Sequence, residues 1–383
     1  MEQWITYKLG KIAECSLGKM LDQRKNKGKP QMYLGNIAVR WGSFNINPSQ
    51  TMLFEDHELT KYKLEINDIV ICEGGEPGRC AMWKSKDTIY IQKALHRVRV
   101  NRNIADPFYV YYYITYLVKS HLLDSYFTGT TIKHLPREQL LSIDIKMPNL
   151  ATQKKIGNIL ETIDSKIDLN RRINDNLEQQ AQALFKSWFV DFEPFKNGKF
   201  VESEMGMIPE GWKVGKFSEL VEIKYGKDHK SLAPGHIPVY GSGGFMRFAE
   251  KSIYNKESVL IPRKGSLNNI LYVNHPFWTV DTMFYTIMKE DGLAKFVYLF
   301  IKPFDLLSMN SGSAVPSMTA DILNNIKLVI PPKSVFIEFE NLIKPLFIKQ
   351  GQIKGEIDKI SLLRDTMLPR LMSGELKIND LNC

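Results

Sequence analysis

The 383-residue sequence predicts an α/β (α+β) protein: two blocks with mixed, mainly β cores, joined by two long coiled-coil helices, with the second half duplicating the first. Three observations carry this. One hydrophobic seam, advancing by alternate steps of three and four, occurs twice, with Ile156 opening the first copy and Phe339 the second, each time after a block rich in strand and turn residues. The two blocks begin with related segments, at the offset that sets Trp4 over Trp212. They end with related segments at the shorter offset of the seams themselves, so the length differences lie inside the blocks and none lie in the helices.

The first block spans residues 1–150. Its opening, WITYKLGKIAECSLGK (Trp4 to Lys19), lies without a gap over WKVGKFSELVEIKYGK (Trp212 to Lys227), matching Trp4/Trp212, Lys8/Lys216, Glu14/Glu222, Gly18/Gly226 and Lys19/Lys227. Around Gly75 and Gly265, NDIVICEGGEPGRC and ESVLIPRKGSLNNI each run a short apolar strand into a glycine turn. The aromatic runs Phe108 to Ile114 and Lys295 to Ile301 also correspond. Their helical spacing predicts core packing for the stripes Tyr109 to Tyr116 and Phe296 to Phe300, rather than stacking on bases. TGTTIKHLPREQLLSIDIKMP (Thr128 to Pro148) closes the first block as SGSAVPSMTADILNNIKLVIP (Ser311 to Pro331) closes the second, which spans residues 196–332.

The first long helix falls within residues 151–195, with its pattern over 152–190. Its seam is Ile156, Leu160, Ile163, Ile167, Asn170, Asn174, Leu177, Ala181, Leu184 and Trp188. The second falls within residues 333–383, with its pattern over 335–374 and the seam Phe339, Ile343, Leu346, Gln350, Ile353, Ile357, Ile360, Arg364, Met367 and Leu371. About five heptads of 3/4 alternation make a coiled-coil seam rather than a globular amphipathic face. Asn170 and Asn174 are polar layers that can fix register at some cost in stability. Pro345 removes a backbone donor and clashes with the preceding turn, so it is expected to kink or delay the second helix.

Composition narrows the function. Lys plus Arg exceed Asp plus Glu by 51 to 42, giving a net charge of +9 and a pI near 9.1, a balance that favours a polyanionic partner. Cys15, Cys72, Cys80 and Cys383 form no CxxC pair and no His stands at ligand spacing from them, so no metal site and reduced thiols in a cytoplasmic protein are expected. The opening MEQWITYKLGK has no apolar h-region, and the longest apolar stretch, Phe108 to Val118, is short and rich in Tyr. No membrane segment is therefore expected.

Motifs for chemistry are absent. The GK pairs at Gly10, Gly18, Gly198 and Gly226 lack the spacing and the following Ser or Thr of a phosphate-binding loop. GSGGF (Gly241 to Phe245) reads as a tight loop, because no helical pattern follows it. Asp164 and Lys166 have nuclease-like spacing but read as a solvated pair on the first long helix. His134 and His275 have no evident acid or nucleophile beside them. The sequence predicts no catalytic residues and no self-contained active site.

SEMGMIPEGWKVGKF (Ser203 to Phe217), ALFKSWFVDFEPF (Ala183 to Phe195) and MLPRLMSGEL (Met367 to Leu376), with the repeated GT or GS turn ahead of a strand and Pro, resemble the DNA-specificity subunit of type I restriction-modification systems. The resemblance covers essentially the whole chain in the order block, helix, block, helix. It implies a non-catalytic, cytoplasmic subunit in which two target-recognition domains each read one half of a split double-stranded DNA site, held apart by two antiparallel helices. It also implies partners: two methyltransferase subunits docked on the helices, and restriction subunits with translocase and nuclease activity. No cofactor is expected on this chain, while S-adenosylmethionine, ATP and Mg belong to the partners. An antiparallel pair of helices about 39 residues long would span roughly 58 Å at 1.5 Å per residue, and a pseudo-twofold would let one polypeptide mimic a dimer with two different half-sites.

Sequence reading needs polar side chains on loops for base edges, with Arg and Lys for phosphates. In the first block the candidates are Arg24, Lys25, Lys27 and Lys29, the loop from Glu73 to Arg79, and Lys93, His96, Arg97 and Arg99 near a strand. In the second they are Lys227, His229 and Lys230, the loop from Ser242 to Arg247, and Arg263, Lys264, Asn268 and Asn269. Two other readings fit a basic, two-block chain: a coiled-coil architectural or regulatory DNA binder without a methyltransferase partner, and a stand-alone DNA-modifying enzyme, which the missing motifs disfavour.

Overall fold

The protein is described by a computed structural model covering residues 4–22, 26–309 and 317–378. Cys383 and the GS turn after Ser311 lie outside the described residues. The chain forms two compact units, Met1–Asn170 with Glu356–Cys383 and Arg171–Gly355, so that each unit boundary falls inside a long helix. No helix of the described residues is long and apolar enough to cross a membrane.

The frame of unit 1 is built from β1 (Ile5–Lys8), β2 (Ala13–Leu17), β3 (Lys29–Leu34), β4 (Thr51–Phe54), β5 (Ile69–Cys72), β6 (Cys80–Met82), β7 (Tyr90–Ile91), β8 (Leu95–Val100) and β9 (Asp144–Met147). The helix α1 (Pro107–Lys119) precedes β9, and the 40-residue helix α2 (Leu150–Phe189) follows it. Unit 2 repeats this plan with β10 (Lys213–Lys216), β11 (Val221–Tyr225), β12 (Ile237–Gly241), β13 (Gly244–Ala249), β14 (Ser258–Pro262), β15 (Leu271–Val273), β16 (Trp278–Thr279), β17 (Met283–Met288), α3 (Ala294–Ile301), β18 (Lys327–Ile330) and the 41-residue helix α4 (Lys333–Ser373).

The topologies of these strands match one for one, although the hairpins Val39–Arg40 with Ser43–Phe44 in unit 1 and Phe200–Ser203 with Gly206–Pro209 in unit 2 have no counterpart. Unit 1 has a four-stranded antiparallel sheet in the order β2-β8-β5-β6, and unit 2 has β11-β17-β14-β15. Beside it, β4-β3-β7 corresponds to β13-β12-β16, with one antiparallel and one parallel pair in each. The first and last strands pair antiparallel, β1 with β9 and β10 with β18. The duplication seen in the sequence is thus a duplication of hydrogen-bonded register.

The aromatic runs lie in α1 and α3 and pack into the cores, as their spacing predicts. Tyr109 to Tyr113 belong to the unit 1 core, and Phe296 to Leu299 to that of unit 2. Asp106 caps α1 through the Tyr109 amide, and Pro107 occupies the first turn, where no donor is needed.

Both long helices are single uninterrupted elements. Asn149 caps α2 by accepting from the Thr152 amide at 2.9 Å, and α4 ends where Gly374 takes φ +80° and the Leu376 amide reaches back to the Arg370 carbonyl. Pro345 neither delays nor breaks α4, which runs through it from Lys333 to Ser373. It lies on the exposed flank beside exposed Asn341, whose carbonyl can be served by water.

Every predicted seam position is buried or half-buried. In unit 1, Ile156 and Leu160 of α2 share a core with Leu368, Leu371 and Met372 of α4, and Lys166 pairs with Glu356 at 3.3 Å. In unit 2, Phe185 and Phe189 meet Phe339, while Gln350 Nε2 donates to the Asn174 carbonyl and to Glu178. Within each unit the two helices therefore run antiparallel. Asn170 is buried in the seam, and its Nδ2 has no hydrogen-bond partner among the described residues, a cost that a register-setting polar layer carries.

Asp164 does not form the solvated pair that its spacing with Lys166 suggests. It accepts from Arg364 Nη1 at 2.8 Å and from the Tyr112 hydroxyl at 2.8 Å, tying α2 to α4 and to α1. Replacing one member strands the other charge in a half-buried site, so Arg364→Met is expected to lower the unit 1 unfolding free energy by about 2 kcal/mol in urea titrations. The double variant Asp164→Leu/Arg364→Leu is expected to recover most of that loss, because an apolar pair fills the same seam.

The matched glycines Gly18 and Gly226 make the same contacts. Each amide bonds to the start of the long central strand, Gly18 to Leu95 and Gly226 to Met283, and the next residues bond to Ile91 and Thr279. A Cβ at Gly18 would lie 2.3 Å from the Gln92 carbonyl, and one at Gly226 would lie 2.0 Å from the Val280 oxygen. The expected outcome for Gly18→Ala or Gly226→Ala is a loss of more than about 2 kcal/mol, read from denaturant midpoints, because backbone has to move to admit the methyl.

Candidate nucleic-acid interface

Each unit gathers loops at one end of its sheets, and the two gatherings correspond residue by residue. In unit 1 the loop after β3 brings Asn36, and the turn between β5 and β6 brings Glu73 to Arg79. The Glu73 amide bonds the Ala94 carbonyl, and the Leu135 amide bonds the Glu73 carbonyl. In unit 2 the Arg263 amide bonds Thr282 and the Met318 amide bonds Arg263 in the same pattern. Gly75 and Gly265 occupy matching turn positions with φ of +77° and +82°, a conformation that favours glycine, and each turn lies against its pinning residue, Asn36 or Ser242.

The frame repeats, and the side chains on it do not. In unit 1 Arg79 Nη2 donates to the carbonyl and the side-chain oxygen of Asn36, while Nη1 pairs with Glu76, which also accepts from the Trp41 indole at 2.7 Å. Asn36 Nδ2 donates to the Gly74 carbonyl. In unit 2 the position matching Arg79 is Asn269, whose Nδ2 reaches the Ser242 carbonyl at 2.9 Å. Arg263 donates to the Asp281 carbonyl and lies over the Tyr225 ring, and Lys264 is exposed. Asn268 accepts from the Leu306 amide through Oδ1 and keeps an exposed position. His229, Lys230, Ser242, Phe245, Met246 and Asp281 line a surface hollow of about 650 Å³ beside this apex.

Several sequence candidates sit elsewhere. Arg24 and Lys25 lie outside the described residues. Lys27 and Lys29 are exposed at the start of β3, the opposite end of that strand from Asn36, and Lys29 approaches Asp56. Lys93 and Lys227 are exposed on loops next to the apices. Arg247 turns inward, donating to His229 Nδ1 and to the Leu232 carbonyl, and so braces a hairpin.

His96, Arg97 and Arg99 are not surface readers. They lie on β8, a central strand flanked on both sides, and each is tied into the fold. Arg97 is buried and donates to the Lys61 and Lys63 carbonyls at the C-terminal end of the Asp56–Tyr62 helix, and to Glu14. Arg99 grips Asp68 with two hydrogen bonds of 2.8 and 2.7 Å, and these hold its pKa above the ordinary arginine value. The alternating LHRVRV pattern suggests an outward Arg face, but the Asp56–Tyr62 helix and Asp68 cover it.

His96 is fully buried, with Nε2 2.8 Å from the Leu135 carbonyl and Nδ1 3.8 Å from the Cys15 thiol. A carbonyl only accepts, so Nε2 carries the proton and the neutral ring ties β8 to the segment that holds the unit 1 apex. Burial lowers its pKa below the ordinary histidine value and raises the Cys15 thiol to about 11. The unfolded chain therefore takes up this proton first as pH falls. The stability due to His96 is fully present above pH ~6.5 and is lost as pH drops below it towards the folded pKa. His96→Gln, which can still donate to Leu135, is expected to flatten the fall in denaturation midpoint between about pH 7 and 5.

Sequence reasoning missed Asn36, Trp41, Tyr225 and Asp281. A signal for the first was present: β3 and β12 end alike, as Tyr33-Leu34-Gly35-Asn36 and Val239-Tyr240-Gly241-Ser242, a glycine then a small polar residue.

A sequence profile of the type I restriction modification DNA specificity domain matches residues 1–179 and 209–341. The chain is 26% identical over 302 residues to the type I restriction enzyme MjaIX specificity subunit of Methanocaldococcus jannaschii, covering 70% of each chain. It is 24% identical to the putative MjaX specificity subunit of the same organism, over 98% of this chain and 94% of that one. Among solved structures, the type I restriction-modification S subunit from M. genitalium shares the fold, with a TM-score of 0.58 at 19% identity over 97% of this chain and 96% of that one.

Proposed function

The chain belongs to the DNA-specificity subunits of type I restriction-modification systems, and on that premise we propose that its two units each read one half of a split double-stranded DNA target while the chain performs no chemistry itself. The observation that carries this reading is the contrast at the two apices: matching main-chain ties hold both loop clusters, while side chains join Arg79 to Asn36 in one unit and Asn269 to the Ser242 carbonyl in the other. Equal frames with unequal side chains suit two different half-sites. Side-chain amides and a guanidinium are the groups that discriminate base edges in the major groove. The exposed lysines Lys93, Lys227, Lys230 and Lys264 beside the apices suit phosphate contacts, which position without specifying.

Two methyltransferase subunits dock on the outward faces of α2 and α4, carrying S-adenosylmethionine, and the restriction subunits that join them carry ATP and Mg. The complex works in the cytoplasm, where its DNA lies.

Exchange of residues 20–127 for those of another specificity subunit, followed by methylome sequencing, is the direct test. One half-site is expected to change while the other stays the same; both changing together would mean that the units do not read independently. In the same complexes, Lys264→Ala is expected to weaken binding to all sequences and to lower the salt slope by about one. Asn269→Ala is expected to relax one base pair at a cost of about 1–3 kcal/mol.

A further inference from the structure

The β12–β13 hairpin of unit 2 carries three large apolar side chains that no described residue covers: Phe245 at 55%, Met246 at 51% and Phe248 at 53% exposure. Scattered exposed apolar residues need no explanation, but three so close together along one strand form a patch. The Phe245 and Phe248 rings touch each other, 4.9 Å between centres, and Phe245 stands edge-on to Tyr240.

Two further features make this patch part of the loop apex. The hairpin tip is Ser242, the residue that Gly265 packs against and that accepts from Asn269, so the rings continue directly from the polar apex. The hairpin is also braced from behind. Arg247 is locked to His229 and the Leu232 carbonyl, and Val239 and Ala249 are buried with Leu232, Trp278 and Val280. Gly244, at φ +107°, lets the tip turn back so tightly that the rings begin immediately beyond it. The result is a rigid apolar edge beside base-reading groups, flanked by exposed Lys227 and Lys230.

We propose that Phe245 and Phe248, supported by Met246, form a wedge that enters the DNA at a base step of the half-site read by unit 2, unstacking it and bending the duplex. This rests on the reading that the unit 2 apex contacts DNA. Inserted apolar side chains kink duplexes at flexible steps, above all pyrimidine–purine steps, and the sequence dependence of that deformation specifies bases that no side chain hydrogen-bonds. Unit 1 has no such edge at the matching place: with Gly35 set over Gly241, the pair Met32 and Thr51 lies over Pro238 and Phe248, so an exposed threonine stands where unit 2 has the Phe248 ring. At this hairpin the two units therefore act by different physics.

The test uses the complete complex with its methyltransferase subunits and duplexes containing the mapped target. 2-Aminopurine is placed one position at a time in the unit 2 half-site, away from the methylated adenine. Binding is expected to raise its fluorescence several-fold at one step. Phe245→Ala/Phe248→Ala is expected to abolish that rise and weaken binding by roughly tenfold, while Phe245→Tyr, which keeps a ring, retains both. These side chains are exposed, so unchanged thermal unfolding of the variants is the check on folding. A wild-type complex that reads this half-site without any rise in fluorescence overturns the wedge and leaves the assignment of half-sites standing. Variants that bind and distort DNA normally but lose a subunit from the complex also overturn it, making the patch a protein-docking surface. If Asn269→Ala and Arg263→Ala leave the methylated motif unchanged, the DNA-reading assignment of this apex fails, and the wedge fails with it.

Discussion

Neither unit closes its core without apolar residues from both long helices. Ile156 and Leu160 of α2 and Leu368, Leu371 and Met372 of α4 complete unit 1, while Ala181, Phe185 and Phe189 with Phe339, Ile343 and Phe347 complete unit 2. Each helix therefore serves two cores in succession. Its length and register are fixed at both ends by burial, and this explains why the two seams correspond without a gap, from Ile156 over Phe339 to Trp188 over Leu371, while the loops between them vary in length.

That constraint leaves the loop ends free to differ. The backbone ties that hold the apices, from Glu73 to Ala94 and Leu135 and from Arg263 to Thr282 and Met318, use main-chain groups alone. Side chains can change without cutting them. Where side chains do enter the frame they serve one unit only: buried His96 has Phe284 at the matching register position in β17, and the hollow beside the unit 2 hairpin is lined by its own residues. A repeated scaffold of main-chain bonds with unrepeated side chains is the physical form of one architecture holding two specificities.

Much of the fold is legible in the sequence because it is periodic. The 3/4 seam places both long helices to within a turn at either end, and the matched glycines Gly18 and Gly226 mark a close backbone approach that the structure contains in both units. The apices are legible only in part. The glycine turns at Gly75 and Gly265 show themselves, but Arg97 and Arg99 read as surface charge because alternation along a strand says nothing about what covers each face. The groups that cover them are remote in sequence: Lys61 lies 36 positions from Arg97, and Asp68 lies 31 from Arg99. Pro345 shows a related limit: a proline's cost depends on whether the orphaned carbonyl meets water, and only the exposed flank of α4 reveals that it can.

The interleaving of the units also sets an order of events during synthesis. Unit 1 holds Met1–Asn170, the part of the chain that leaves the ribosome first, yet its core includes Leu368, Leu371 and Met372. At roughly 5–20 residues per second, Ile156 and Leu160 wait on the order of ten to forty seconds for those partners to emerge. Unit 2 needs only the contiguous segment Arg171–Gly355 and can complete its core earlier. The half of the protein translated first is thus the last to finish folding, and in the interval the amino-terminal portion of α2 presents an open apolar stripe that a nascent-chain chaperone, or a neighbouring copy on the same messenger, can reach.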